Sequence, residues 1–151
     1  MIEEVIKMLG NVNHIYLIGN GGSASTCSHF ANDLRSHGYR AMSLVDNVAI
    51  ITKIANDTGY EYVFEEQLET LFTSDDVLIA ISASGNSPNL IKAVEYANKL
   101  GTTIAIVGFD GGQLAKMCTL VIHTETNKGE YEIAEDKHLA VCHTIAKRLG
   151  K

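Results

Sequence analysis

The sequence predicts an α/β domain, a doubly wound, five-stranded parallel sheet flanked by helices. Three observations carry this. Five short apolar runs, partly β-branched, lack strict alternation, as strands covered on both faces do. Helical patterns stand between them, the order of a βαβ chain. Glycine and serine clusters follow the first and third runs, where such folds place their ligand loops. The 151 residues suffice for one substantial core and read as a single domain, 1–151, without repeat, low-complexity tract or linker.

Each element follows from its own stretch. Met1 to Leu9 forms a short helix with Ile2, Val5, Ile6 and Leu9 on one face. So short a helix is marginal alone and needs something to pack against. HIYLIG, His14 to Gly19, is the first strand, and Ser23 to Ser36 a helix opened by a serine able to cap it. RAMSLV, Arg40 to Val45, is the second strand; Val48 to Asn56 and Tyr60 to Phe72 are shorter helices. VLIAIS, Val77 to Ser82, is the third strand, and Ser87 to Leu100 the helix after it, with Ser87 as its cap. The only proline, Pro88, stands where a missing N–H costs least. Thr103 to Gly108 and Leu120 to His123 complete the sheet. The last helix, from about Glu132 to Arg148, carries apolar or small residues at Ala134, Val141, Cys142, Ile145 and Leu149.

Composition narrows the function. A formal charge of −6 argues against general affinity for nucleic acid or anionic membrane. No apolar run approaches the ~18 residues of a transmembrane helix. MIEEVIKMLG has acids where a signal peptide has Lys or Arg, which suits a cytoplasmic protein. Cys27, Cys118 and Cys142 are isolated and odd in number, as reduced thiols are, with Cys27 expected as buried filler rather than a catalytic thiol.

Two loops carry the chemistry. G-N-G-G-S-A, residues 19–24, satisfies the dinucleotide fingerprint, and Asp46 lies about where a ribose-binding acid is expected. The same glycines can instead cradle a small phosphorylated ligand. I-S-A-S-G-N-S-P-N, residues 81–89, crowds Ser82, Ser84 and Ser87 at a helix N-terminus. Hydroxyls and free N–H groups there form an anion site suited to a phosphate monoester. Serine, glycine and asparagine are also ordinary turn residues. His29 and Asp33, four residues apart, share one helix face beside the first loop. A carboxylate and an imidazole make a sensible acid–base pair, because both can be tuned toward neutral pH.

G-N-G-G-S-A at 19–24 with S-A-S-G-N-S at 82–87 resembles the sugar-isomerase (SIS) domain, closest to the phosphoheptose isomerases. H-F-A-N-D-L at 29–34, A-N-D-T-G-Y at 55–60, G-F-D-G-G at 108–112 and E-D-K-H-L-A-V-C-H at 135–143 extend the resemblance over nearly the whole chain. It implies a flavodoxin-like three-layer sandwich and an enzyme interconverting sedoheptulose 7-phosphate and a heptose 7-phosphate. Ser82, Ser84 and Ser87 then match the hydroxyls that hold the phosphate, with Ala83 among them. Asn20 and Ser23, with Gly21 and Gly22, match the first-loop residues at the sugar. Asp57 matches an aspartate at sugar hydroxyls, and Glu132 falls near another substrate-contacting acid. Asp33 matches a catalytic glutamate and His143 a catalytic histidine. Some relatives carry zinc at positions matching His29, Asp33, Glu135 and His143, although Glu135 and His143 are ~12 Å apart along a helix. A nucleotide cofactor is not expected.

The sequence also departs from the family. Asp33 is one methylene shorter than the usual glutamate, Ala83 lacks a common hydroxyl, and a basic residue after the glutamate is absent, with Arg35 or His37 nearby. The usual long N-terminal helix is reduced to about Met1 to Leu9. The resemblance implies a homo-oligomer, dimer or tetramer, with His143 near a subunit boundary and His138 packing or bonding at the interface. Two rivals to the isomerase stay open at this level, a non-catalytic phosphosugar binder and a nicotinamide oxidoreductase.

Overall fold

The computed structural model describes residues 1–150. Five parallel strands, β1 (Ile15–Gly19), β2 (Ala41–Ser43), β3 (Val77–Ser82), β4 (Thr102–Val107) and β5 (Leu120–His123), lie in the order β2-β1-β3-β4-β5. β1 is flanked by β2 and β3, with Ile15 opposite both Ala41 and Val77. The chain therefore steps outward from β1 to β2 and returns to the other side as β3. That reversal opens a crevice at the carboxyl ends of β1 and β3. The glycine and serine loops leave the sheet at this point.

Period-two alternation divides each strand between two cores. Ile15, Leu17, Ile79, Ile81, Ile104 and Ile106 face α1 (Ile2–Leu9), α2 (Gly22–Ser36) and α7 (Tyr131–Leu149). Tyr16, Ile18, Leu78, Ala80 and Ala105 face α3 (Val48–Asp57), α4 (Glu65–Leu71), α5 (Pro88–Ala97) and α6 (Leu114–Met117). This is the three-layer sandwich expected. Phe30 and Leu34, fully buried on α2, contribute about 2–3 kcal/mol each by removal from water.

Several boundaries differ from the sequence reading. The Tyr60 to Phe72 segment divides into a 3₁₀ turn, Tyr60–Tyr62, and α4. Val63 N–H bonds the Tyr60 carbonyl while consecutive Val63 and Phe64 both enter the core, so the helical ladder restarts after them. The short α6 has no counterpart in the sequence reading, and β2 is shorter than Arg40 to Val45. Ser23 does not cap α2. Gly21 is the N-cap, with φ 55°, and Ser23 lies inside the first turn, its N–H bonded to the Asn20 carbonyl. On α1, Val5 and Leu9 are buried and Ile2 and Ile6 pack on the same core. The partner this face needs is the chain's own α7, and Glu3 pairs with Arg148 across them. No helix among the described residues is long and apolar enough to cross a membrane.

Candidate active site

The serine loop is built to leave its hydroxyl protons free. Ser82 Oγ accepts the Gly85 N–H at 3.0 Å, and Ser84 Oγ accepts the Asn86 N–H at 3.3 Å. A hydroxyl that accepts still has its own proton to donate. Ser87 is the N-cap of α5, but its side chain makes no capping bond. Leu90 N–H, the usual target, is bonded by Asn89 Oδ1 at 3.0 Å instead. Ser87 thus stands at a helix N-terminus, where the backbone favours an anion, with Ser82 and Ser84 on the loop that leads to it. The Ala83 methyl is buried with Phe109 and Ala134, so its side chain adds no hydrogen-bonding group to the loop.

The 108–112 loop supports the serine loop from below. Gly85 has φ 66°, and a Cβ there would run into the Gly111 carbonyl. Phe109 is the one non-glycine residue at positive φ, 42°, among the described residues. Its N–H bonds Thr126 Oγ1 and its carbonyl is bonded by His123 Nε2. A cavity of about 370 Å³ opens between these loops, lined by Ser84, Asn86, Asp110 and Lys128 among others.

α2 and α7 run side by side in the same direction from the glycine loop. Near their middles, three side chains meet. His143 Nε2 is 3.4 Å from His29 Nε2 and 3.8 Å from Asp33 Oδ2, and His29 Nε2 is 3.6 Å from that oxygen. This is the group of candidate metal donors among the described residues. Asp33 is the more enclosed, and the two imidazoles are half exposed. The sequence reading's fourth ligand, Glu135, does not join them. It lies one turn into α7, and its carboxylate occupies the space a side chain on Gly22 would fill. Eight helical residues rise about 12 Å, so Glu135 meets the first turn of α2 and His143 the third.

The remaining expected residues scatter. Asn20 borders a second cavity of about 480 Å³, with Tyr60, Ser87, Asn89 and Lys92. Ser23 is buried in the first turn of α2. Asp57 is exposed at the end of α3, accepting from Asn56 and 3.9 Å from Lys53. Glu132 is exposed on the first turn of α7. Asp46 accepts a hydrogen bond from Ser28. It lines a depression of about 970 Å³ along the β2 edge, which includes none of the glycine- or serine-loop residues.

His138 is not at the surface expected for an interface residue. It is fully buried in its own chain and neither ring nitrogen makes a hydrogen bond. Burial lowers its pKa, opposed by the Val107 carbonyl, so the ring is held neutral. Burial likewise raises the Cys27 and Cys142 thiols, which fits inert filler. Two residues the sequence reading missed border the glycine loop. Asn89 forms a paired amide contact with Asn20, and the Tyr60 hydroxyl donates to Asn20 Oδ1 at 3.0 Å. Tyr60 ends the A-N-D-T-G-Y motif, and Asn89 follows the N1 proline, which was the available signal.

The SIS domain model matches residues 2–108. A phosphoheptose isomerase of Trichlorobacter lovleyi is 37% identical over 152 residues, covering 96% of this chain and 76% of that protein. The chain belongs to the SIS family, among the phosphoheptose isomerases. A Helicobacter pylori member is 40% identical over 154 residues, 95% of this chain and 78% of its own. The structure of phosphoheptose isomerase GmhA from Neisseria gonorrhoeae superposes with a TM-score of 0.90 at 32% identity, over 98% of this chain and 82% of that one. Membership assigns the glycine loop and the serine loop to the SIS fold, as the paired motifs predicted.

Proposed function

We propose that this chain is a cytoplasmic phosphosugar isomerase, interconverting sedoheptulose 7-phosphate and D-glycero-D-manno-heptose 7-phosphate through an enediol. The observation that carries the reading is the closure of His143, from the C-terminal helix, onto His29 and Asp33 on the helix that springs from the glycine loop. A 2-ketose becomes an aldose when a base takes a proton from C1 and the C2 carbonyl oxygen gains one. O1 then loses its proton and C2 is reprotonated. Asp33 serves the carbon proton and His143 the oxygens. Ser82, Ser84 and Ser87 hold the phosphate; Asn20 and the first turn of α2 hold the sugar, with Glu135 placed to meet a hydroxyl.

The donor set also fits zinc. Tetrahedral ligands at zinc–nitrogen and zinc–oxygen distances stand about 3.3 Å from one another, close to the 3.4–3.8 Å separations of these atoms. His29, Asp33 and His143 would hold the ion, which when bound polarises a carbonyl oxygen. The reading includes a homo-oligomer, dimer or tetramer. Tyr131 and Ile133, 51% and 46% exposed, and the half-exposed histidine pair form the surface a second copy would cover.

Turnover tests the assignment. Asp33→Asn and His143→Ala are expected to keep sugar-phosphate binding while losing about two to four decades of turnover. Near-normal turnover in either variant removes that residue from proton transfer. Metal analysis of the purified protein, with activity before and after chelation, tests the zinc. Light scattering at micromolar concentration tests assembly, where a mass near the 16.4 kDa of one chain refutes it.

A further inference from the structure

The paired amides of Asn20 and Asn89 join the two ligand loops directly. Asn89 is buried at the second position of α5, immediately beyond the phosphate-loop serines. Its Nδ2 donates to Asn20 Oδ1 at 2.8 Å, and its Oδ1 accepts from Asn20 Nδ2 at 2.9 Å. Such a pair is self-complementary, so by itself it leaves open which atom is oxygen on either side. The helix decides. Leu90 N–H donates to the same Asn89 atom, at 3.0 Å, so that atom must be the oxygen. Asn20 must then present its nitrogen to it. The remaining Asn20 atom, the oxygen, takes the second Asn89 bond and the Tyr60 hydroxyl at 3.0 Å. Both acceptor sites of Asn20 are filled, and one N–H remains beside the cavity that Asn20, Tyr60 and Ser87 line.

We propose that Asn89 is a positioning residue, which holds Asn20 with a single N–H presented to a sugar oxygen and registers the sugar against the phosphate of the serine loop, whose Ser87 lies two residues earlier as the N-cap of the same helix. This rests on the sugar-phosphate reading of the site. Asn89 itself touches no substrate; it acts through Asn20.

Titration of the full chain with sedoheptulose 7-phosphate and separately with inorganic phosphate, alongside steady-state turnover, tests this. In Asn89→Ala, kcat is expected to fall about 10- to 100-fold, as for a misplaced contact. The ratio of sugar-phosphate to inorganic-phosphate affinity should fall about fivefold or more, with inorganic-phosphate affinity within about twofold of wild type. Tyr60→Phe, at an exposed position, should show the same pattern more weakly, and keeps the test decisive if Asn89→Ala does not fold. Equal loss of both affinities would show a structural prop for the serine loop and overturn the proposal, as would unchanged kcat and unchanged ratio. A wild type that binds sedoheptulose 7-phosphate without turnover overturns the isomerase reading alone, and the affinity ratio then decides the role of Asn89. A wild type that binds neither ligand overturns both.

Discussion

Ser84 shows what a single side chain contributes here. Its oxygen is occupied by the Asn86 N–H, so its proton is available to an anion. Ser84→Ala should weaken sugar-phosphate binding by roughly 1–3 kcal/mol, the scale of a hydrogen bond to a charged group. Calorimetry on the folded variant checks this, and unchanged affinity would remove Ser84 from the site. Asp33 reaches both imidazoles despite its short side chain, at 3.6 and 3.8 Å. Asp33→Glu tests whether the missing methylene limits the rate. The serine and glycine loops were legible because glycine and serine cluster where a buried strand passes into a helix, the place such folds put their ligand loops. Asn89 and Tyr60 were not, because their role depends on which backbone N–H a neighbouring oxygen takes. Glu135 stands apart from the three donors in this structure, beside Gly22, because about 12 Å of helical rise separates it from His143.

At the scale of elements, α1 is the clearest case of a helix defined by its neighbours. Its eight residues would not persist alone, yet Val5 and Leu9 are fully buried beneath it. Leu9→Ala should destabilise the protein by about 2–5 kcal/mol, read from the midpoint of urea unfolding. A cost below ~1 kcal/mol would mean that α1 is only loosely attached. The serine loop depends on the loop beneath it in the same way. Gly85→Ala forces a left-handed φ on alanine and drives its methyl into a backbone carbonyl, so a cost of about 2 kcal/mol or more is expected, with loss of phosphate binding. The long helices and central strands were legible from apolar periodicity. The Tyr60 to Phe72 break was not, because it follows from the burial of two consecutive residues, which no local pattern announces.

Across the whole molecule, the doubly wound order gathers what lies far apart in sequence. Glycine loop, serine loop and the 108–112 turn all leave the carboxyl end of the sheet, and α7 brings His143 back to α2. That closure was implied by the family resemblance rather than by periodicity. The same packing buries His138 without a partner, which makes stability depend on pH. Its folded pKa lies below the ordinary 6.5, so on acidification the unfolded chain takes a proton that the folded chain refuses. Stability from this group is full above about pH 6.5 and falls as pH drops toward the folded pKa, by at most about 1.4 kcal/mol per pH unit. Unfolding free energies between pH 7 and pH 5 should therefore decline more steeply in wild type than in His138→Leu; equal slopes would contradict the buried neutral ring. The central claim is isomerisation, and the most direct measurement is proton NMR of sedoheptulose 7-phosphate incubated with the protein in heavy water. The account predicts the signals of an aldose heptose 7-phosphate, with solvent deuterium entering at C2, and neither signal with Asp33→Asn. Ketose that remains unchanged and undeuterated at stoichiometric protein, although bound, would contradict it.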